Sequence, residues 1–260
     1  MTIYIEQAKI QRGVKFDGTK VEVFDVIDST NQYLQTIDHS NYRNYVCIAE
    51  YQSKAKGRLQ RSWHSPYSKN VLLSVTHNFN KGQSELGGLS MVVALSILRS
   101  LLLLELPRGF KVKWPNDIYF KDQKISGTLI ETTEKNDQEC NVVIGIGLNV
   151  NLTESPASNL SNWTSLQKIT GKVFDRNKIC ILLINNLIKD LKEFEIRGFK
   201  PFILGWNKYD YLLDKEISIK NYDNTSYDGL YKGVDEMGNL LLQTKKGEVI
   251  AIASGDASIV

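Results

Sequence analysis

The stretch VVIGIGLNVN, residues 142–151, reads as one β-strand with two unlike faces. Side chains alternate across a pleated strand, so Ile144, Ile146, Leu148 and Val150 share one face and Gly145, Gly147, Asn149 and Asn151 the other. The aliphatic face is core. The second face opens with two positions that lack a side chain and continues with two amides. Glycine weakens a strand interior, so a pair on one face marks a place where something flat or bulky approaches the backbone. A ligand and a closely packed helix or sheet satisfy that pattern equally well.

Working outward, FKVKWPNDIYF (110–120) and KISGTLIET (124–132) read as the two preceding strands, separated by a connection of hairpin length. There KWPND (113–117) is expected to end a strand with a rigid turn, because Pro115 fixes its own φ and Asn116-Asp117 can bond to the local backbone. Strict alternation places Lys124, Ser126, Thr128 and Ile130 on one face of the second, against Ile125, Gly127, Leu129 and Glu131. Further upstream, YVCIAEYQ (45–52) and NVLLSVTHNF (70–79) are strand-like, and VEVFDVI passes at Ser29-Thr30-Asn31, good capping residues, into a short helix. LSMVVALSILRSLLLLEL (89–106) is broken by Ser96, Arg99, Ser100 and Glu105, which favours a buried core helix over a membrane span. Residues 175–198 carry a helical stripe at Ile179, Leu183, Leu187, Leu191 and Phe194, with Asp175 as N-cap and Gly198 as the stop. From about residue 213 only short strands remain: EISIK, YDGLYKGV, LLLQT and EVIAIA. The expected organisation is a short N-terminal segment (1–20), an α+β domain (21–212) and a small antiparallel barrel or sandwich (213–260).

The charge balance is +3, from 32 basic and 29 acidic residues. That is too even for a dedicated nucleic-acid binder. Cys47, Cys140 and Cys180 lack CxxC spacing, and the N-terminus lacks the apolar core of a signal peptide, so a reducing, cytoplasmic setting is expected. Against this even background KAKGRLQRSWHSP (54–66) concentrates Lys54, Lys56, Arg58, Arg61 and His64, with no carboxylate inside the stretch. A local cluster of this kind suits a small anionic ligand. His39, His64 and His77 share no metal-ligand spacing, and neither a GxSxG elbow nor a complete P-loop is present. An enzyme built from these parts would act by holding two reactants together.

In order along the chain, DSTN, AEYQSKAKGRLQRSWHSP, KWPND, KISGTLIE and IGIGLNVN resemble the biotin protein ligases, the biotin–[acetyl-CoA-carboxylase] ligases, from about Val26 to Asn151. The resemblance implies a class II synthetase-like catalytic domain, a mixed sheet flanked by helices, followed by an SH3-like barrel. It implies ATP-dependent formation of biotinyl-5′-AMP, with magnesium, and transfer of biotin to a lysine of the biotin carboxyl carrier protein. It also matches residues one by one. Ser29, Thr30, Asn31 and Gln52 correspond to positions that read biotin's polar groups. Lys56, Gly57 and Arg58 belong to the basic biotin-binding loop. Lys124 corresponds to the lysine beside the biotin carboxylate and α-phosphate, so Lys124, Arg58 and Lys56 are the expected catalytic cations. Arg61, Trp63, Asn116, Asp117, Gly145, Gly147 and Asn149 fall on the nucleotide side, with Trp63 near adenine and Asp117 a possible magnesium ligand. LTESPASNLSNW (152–163) lies where the family has a second loop over adenosine.

The basic loop departs from the glycine- and arginine-rich family pattern. It reads AKGRLQR, and a left-handed Ala55 would cost about 1 kcal/mol. Only about 27 residues precede DSTN, so DNA binding of the helix-turn-helix repressor kind is not expected. No membrane association is expected, and a homodimer through the edge of the central sheet stays open. A lipoate or octanoate ligase on a related fold, or a non-catalytic ligand sensor, are the competing readings.

Overall fold

The computed structural model describes residues 3–38, 41–136, 138–154, 162–220 and 225–260. A short helix α1 (Gln7–Gly13) leads into strand β1 (Thr19–Ile27), helix α2 (Thr30–Thr36) and strand β2 (Asn44–Gln52). Strand β3 (Asn70–Phe79) and helix α3 (Leu89–Leu102) follow. Then come β4 (Phe110–Lys113), β5 (Asp117–Phe120), β6 (Gln123–Asn136) and β7 (Glu139–Asn149), and after them helices α4 (Leu166–Thr170), α5 (Arg176–Arg197) and α6 (Ile203–Tyr209). The chain ends in β8 (Glu216–Lys220), β9 (Ser226–Val234), β10 (Leu240–Gln243), β11 (Val249–Ile252) and β12 (Asp256–Ile259).

The first seven strands form one mixed sheet in the order β1-β2-β3-β7-β6-β5-β4, in which only β1 and β2 run parallel. One face is apolar and covered by α3 and α5. Val71, Leu73 and Val75 of β3 stand opposite Leu148, Ile146 and Ile144 of β7 and are fully or almost fully buried. A buried polar seam joins the two covering helices, with Ser96 Oγ donating to Asp190 Oδ2 at 2.7 Å and Arg99 bonding Asp190 Oδ1 at 2.6 Å. On the opposite face α2 covers a second, smaller cluster of Leu34, Tyr45, Cys47 and Val143. The rest of that face, next to α2, holds the cavity described below.

Two sequence expectations are corrected here. FKVKWPNDIYF is two strands, β4 and β5, which pair antiparallel with Phe110 opposite Phe120 and Lys113 opposite Asp117. The turn between them, which has a cis Trp114–Pro115 bond, reverses the chain instead of ending a single strand. The C-terminal unit has five strands, in the order β11-β10-β9-β8-β12, all antiparallel, an arrangement that fits an SH3-like barrel. The strand missed, β12, is short and starts on a charged residue, so its pattern is weak.

The barrel is fixed to the first domain by buried polar contacts. Asp210 accepts hydrogen bonds from Trp206 Nε1 (2.9 Å), Tyr231 Oη (2.7 Å) and the Leu212 amide (2.9 Å). Burial holds its carboxyl above the ordinary aspartate range. Trp114 Nε1 donates to the Gly238 carbonyl at 3.1 Å. These contacts place the start of β12 at the rim of the cavity. Among the described residues, no helix is long and apolar enough to cross a membrane.

Candidate active site

The cavity has a volume of about 420 Å³, within the range usual for small-molecule sites. Its walls include every residue singled out above: Ser29, Thr30, Asn31, Gln52, Lys56, Gly57, Arg58, Arg61, Trp63, Asn116, Asp117, Lys124, Gly145, Gly147 and Asn149. Most of the segment 152–163 lies outside the described residues, as does His39.

Beside α2 the lining is uncharged. Ser29 caps the helix by accepting from the Gln32 amide. Gln52 Oε1, at the end of β2, accepts from Thr30 N (2.7 Å) and Thr30 Oγ1 (3.0 Å), and the Ser74 hydroxyl lies 2.6 Å from both Thr30 Oγ1 and Asn31 Oδ1. Asn31 is buried over Gly145, and its Nδ2 donates to Glu131 Oε2 at 2.7 Å and to Leu129 O at 3.3 Å. Close helix packing thus explains the first glycine of β7.

The second glycine has a different neighbour. A Cβ on Gly147 would lie 2.5 Å from the Trp63 indole, so this glycine leaves room for the aromatic ring close against the sheet. Trp63 Nε1 is buried without a hydrogen-bond partner. Lys124 Nζ lies 5.7 Å from the centre of the Trp63 ring, in cation–π range.

Strict alternation misplaced Lys124. In β6 the pairing runs Asp117↔Gly127, Ile118↔Ser126 and then Tyr119↔Lys124, so Ile125 is the extra residue of a β-bulge. The bulge returns Lys124 to the face of Gly127. There its Nζ meets Asp117 Oδ1 at 2.8 Å, and a Cβ at Gly127 would press on both partners.

The basic stretch folds back on itself as a small hairpin. Lys56 bridges Ser62, Gly57 N donates to Arg61 O at 2.7 Å, and Trp63 N donates to Ala55 O at 3.1 Å. Ala55 is not left-handed. The strained position is Leu59, at φ 55°, in the turn Arg58–Gln60. The charges also find carboxylates, all of them outside the stretch. Lys54 pairs with Asp28 at 2.8 Å, while Arg58 and Arg61 share Asp256, at 3.3 and 2.8 Å. Arg58 further donates to Gly255 O (2.9 Å) and Asn116 Oδ1 (3.1 Å). Asp256 is the important residue that sequence reading missed. It opens the short β12 and is nearly 200 positions from Arg58, so no local pattern announces it. His64 also lines the cavity, and burial lowers its pKa.

A family model described as the biotin/lipoate A/B protein ligase family matches residues 23–149, and one for the biotin protein ligase C-terminal domain matches residues 212–260. The bifunctional ligase/repressor BirA of Escherichia coli (strain K12) is 35% identical over 230 residues, covering 88% of this chain and 71% of that protein. This chain belongs to the biotin protein ligase family. A biotin--[acetyl-CoA-carboxylase] ligase of Mycobacterium tuberculosis is 26% identical over 81% of the chain and 77% of that protein. Among solved structures, the biotin protein ligase of Aquifex aeolicus in complex with biotin and ATP superimposes with a TM-score of 0.79 at 30% identity, covering 94% of this chain and 99% of that one. Both units of the fold, sheet domain and barrel, therefore lie within the ligase family.

Proposed function

We propose that this protein joins biotin to ATP as biotinyl-5′-AMP, with release of pyrophosphate, and then transfers the biotinyl group to a lysine of a biotin carboxyl carrier protein of acetyl-CoA carboxylase. The observation that carries this reading is a single cavity with two kinds of wall. Thr30 and Gln52 offer uncharged donors and acceptors near α2, and Lys56, Arg58, Arg61 and Lys124 supply cations around Trp63. A neutral bicyclic urea with a carboxylate at the end of a chain, set beside a nucleotide, has this same division.

The first step brings a carboxylate oxygen onto the α-phosphorus as the bond to the β-phosphate breaks. Two anions must approach, and their repulsion rises steeply as water is excluded. Lys124 and Arg58 rest against Asp117 and Asp256, and their role is to neutralise the approaching oxygens as these exchange places with the carboxylates. No enzyme nucleophile is required, and positioning supplies the rate. In the second step the carrier's amine attacks the acyl carbon, the bond to AMP breaks, and AMP leaves. The loop from Lys56 to Trp63 covers the mixed anhydride and keeps water from it. Gly147 leaves the space on the nucleotide side that Trp63 occupies.

Among the described residues, no group of three or more metal-ligating side chains occurs. Asp117 and Asp256 each present a carboxylate to the cavity. That donor set suits magnesium carried on a triphosphate, which keeps most of its ligands as phosphate and water. When bound, the ion would offset phosphate charge, and Asp117 is the side chain that would hold it.

The competing acids are lipoate, which the description of the matching family model also names, and octanoate. The barrel's match to the biotin ligase C-terminal domain favours biotin. The test supplies ATP, an unmodified carrier domain, and biotin, lipoate or octanoate in turn, and reads the acceptor lysine by mass spectrometry. Modification by biotin alone is expected. Modification by lipoate in preference would overturn the assignment.

A further inference from the structure

Lys124 reaches the cavity only because of the bulge at Ile125, and the backbone beside that bulge is held from an unexpected direction. Strand β6 meets β7 from Ser126 onward, opposite Leu148, and β7 ends at Asn149. Lys124 therefore has no ladder partner on β7. Residues 162–164 take that place. Lys124 N donates to Asn162 O at 3.0 Å, and Thr164 N donates to Lys124 O at 2.9 Å, a parallel bridge centred on Trp163. On its other side Lys124 stands opposite Tyr119.

The bridging segment is anchored in turn. Asn149 Nδ2 donates to Thr164 O at 3.1 Å from a residue only 6% exposed. Ser165, the N-cap of α4, donates to Leu152 O at 2.5 Å, and Lys168 Nζ lies 4.1 Å from the centre of the Trp163 ring. The amide of Asn149 is thus aimed at the clamp around Lys124.

A bulge leaves one residue outside the ladder, and a slip of one residue sends every following side chain to the opposite face. In β6 such a slip would take the Lys124 ammonium out of the cavity and away from Asp117. We infer that Asn149 is a positioning residue for Lys124: acting through the Thr164 carbonyl, it fixes the backbone bridge that keeps the bulge in register and the ammonium in the cavity. This rests on the acyl-adenylate reading above and gives Asn149 a role distinct from direct contact with the nucleotide.

The test is a double-mutant cycle on single-turnover formation of biotinyl-adenylate at saturating ATP, so that a change in nucleotide affinity does not enter, with Asn149→Ala made in the wild-type and in the Lys124→Ala protein. With Lys124 present, Asn149→Ala is expected to slow adenylate formation about tenfold or more, the scale of a small misplacement of a reacting group. Without Lys124 the same change is expected to cost less than about twofold, because the two residues act as one unit. Asn149→Ser, too short to reach Thr164, replaces the alanine variant if urea titration shows that it does not fold. Thr164→Pro, which deletes the N–H bonded to Lys124 O, should reproduce the same non-additivity. Equal slowing in both backgrounds would mean that Asn149 acts independently of Lys124, and would overturn the inference. A wild-type protein that forms no adenylate would instead overturn the underlying reading.

Discussion

Asp256→Asn is the most informative perturbation of the basic loop. In the structure Asp256 holds both Arg58 and Arg61 from across the domain boundary, so an incoming anion must displace it to reach them. The Arg58 side chain is 20% exposed and its pair with Asp256 measures 3.3 Å. At an effective dielectric constant near 20 the gross attraction is about 5 kcal/mol. Desolvation and solvent screening cancel most of it, leaving about 1 kcal/mol for a partly exposed pair. Arg61 is 69% exposed, so its pair adds only a few tenths of a kcal/mol. Relieving a competition of about 1 to 1.4 kcal/mol should tighten binding of a carboxylate about five- to tenfold. Isothermal titration of biotin and of its neutral alcohol analogue against both proteins reads the effect. The expected result is a lower Kd for biotin in Asp256→Asn, no comparable change for the alcohol, and a smaller gap at high salt. Unchanged or weaker biotin binding would refute the competition and make Asp256 a support for the loop.

Leu59→Gly should stabilise the protein by about 0.5 kcal/mol, the relief of a left-handed residue less the entropy of glycine, whereas Ala55→Gly should destabilise it; urea midpoints decide. Gly147→Ala puts a methyl group 2.5 Å from the Trp63 indole. It should lift the ring, shift tryptophan fluorescence and weaken ATP binding about tenfold or more, a loss of about 1.4 kcal/mol that titration with ATP would show. Asp210 has a folded-state pKa raised by burial, so its contribution to stability is full below the unfolded pKa and is lost as pH rises through the folded value. Asp210→Asn should therefore destabilise the protein less at about pH 7.5 than at about pH 4.5, as measured by urea unfolding, and the opposite ordering would contradict that sign.

Much of the architecture was legible because local rules and tertiary packing agree. The helix ends at Asp175 and Gly198 fall where capping chemistry puts them, and the two faces of β7 separate as the alternation requires. Periodicity failed where the backbone leaves its regular path. The bulge at Ile125 reverses the side of Lys124, and the Trp114–Pro115 turn folds an apparent strand into a hairpin. The motifs brought the lining of the cavity together, because each closes or opens an element on one face of the sheet. Asp256 and the clamp at Asn162–Thr164 were invisible for another reason. Their partners are remote in sequence, and the residues carry no pattern of their own. The same remoteness hid the carboxylates that neutralise the basic stretch.

The most direct test of the central claim is exchange of labelled pyrophosphate into ATP by the purified protein, with and without biotin, beside a Lys124→Ala variant. The account predicts exchange that requires biotin and falls about a hundredfold or more in the variant, the scale of losing one preorganised charge at the reacting oxygens. Biotin-independent exchange, no exchange by a protein that still binds biotin, or full activity in Lys124→Ala would contradict it.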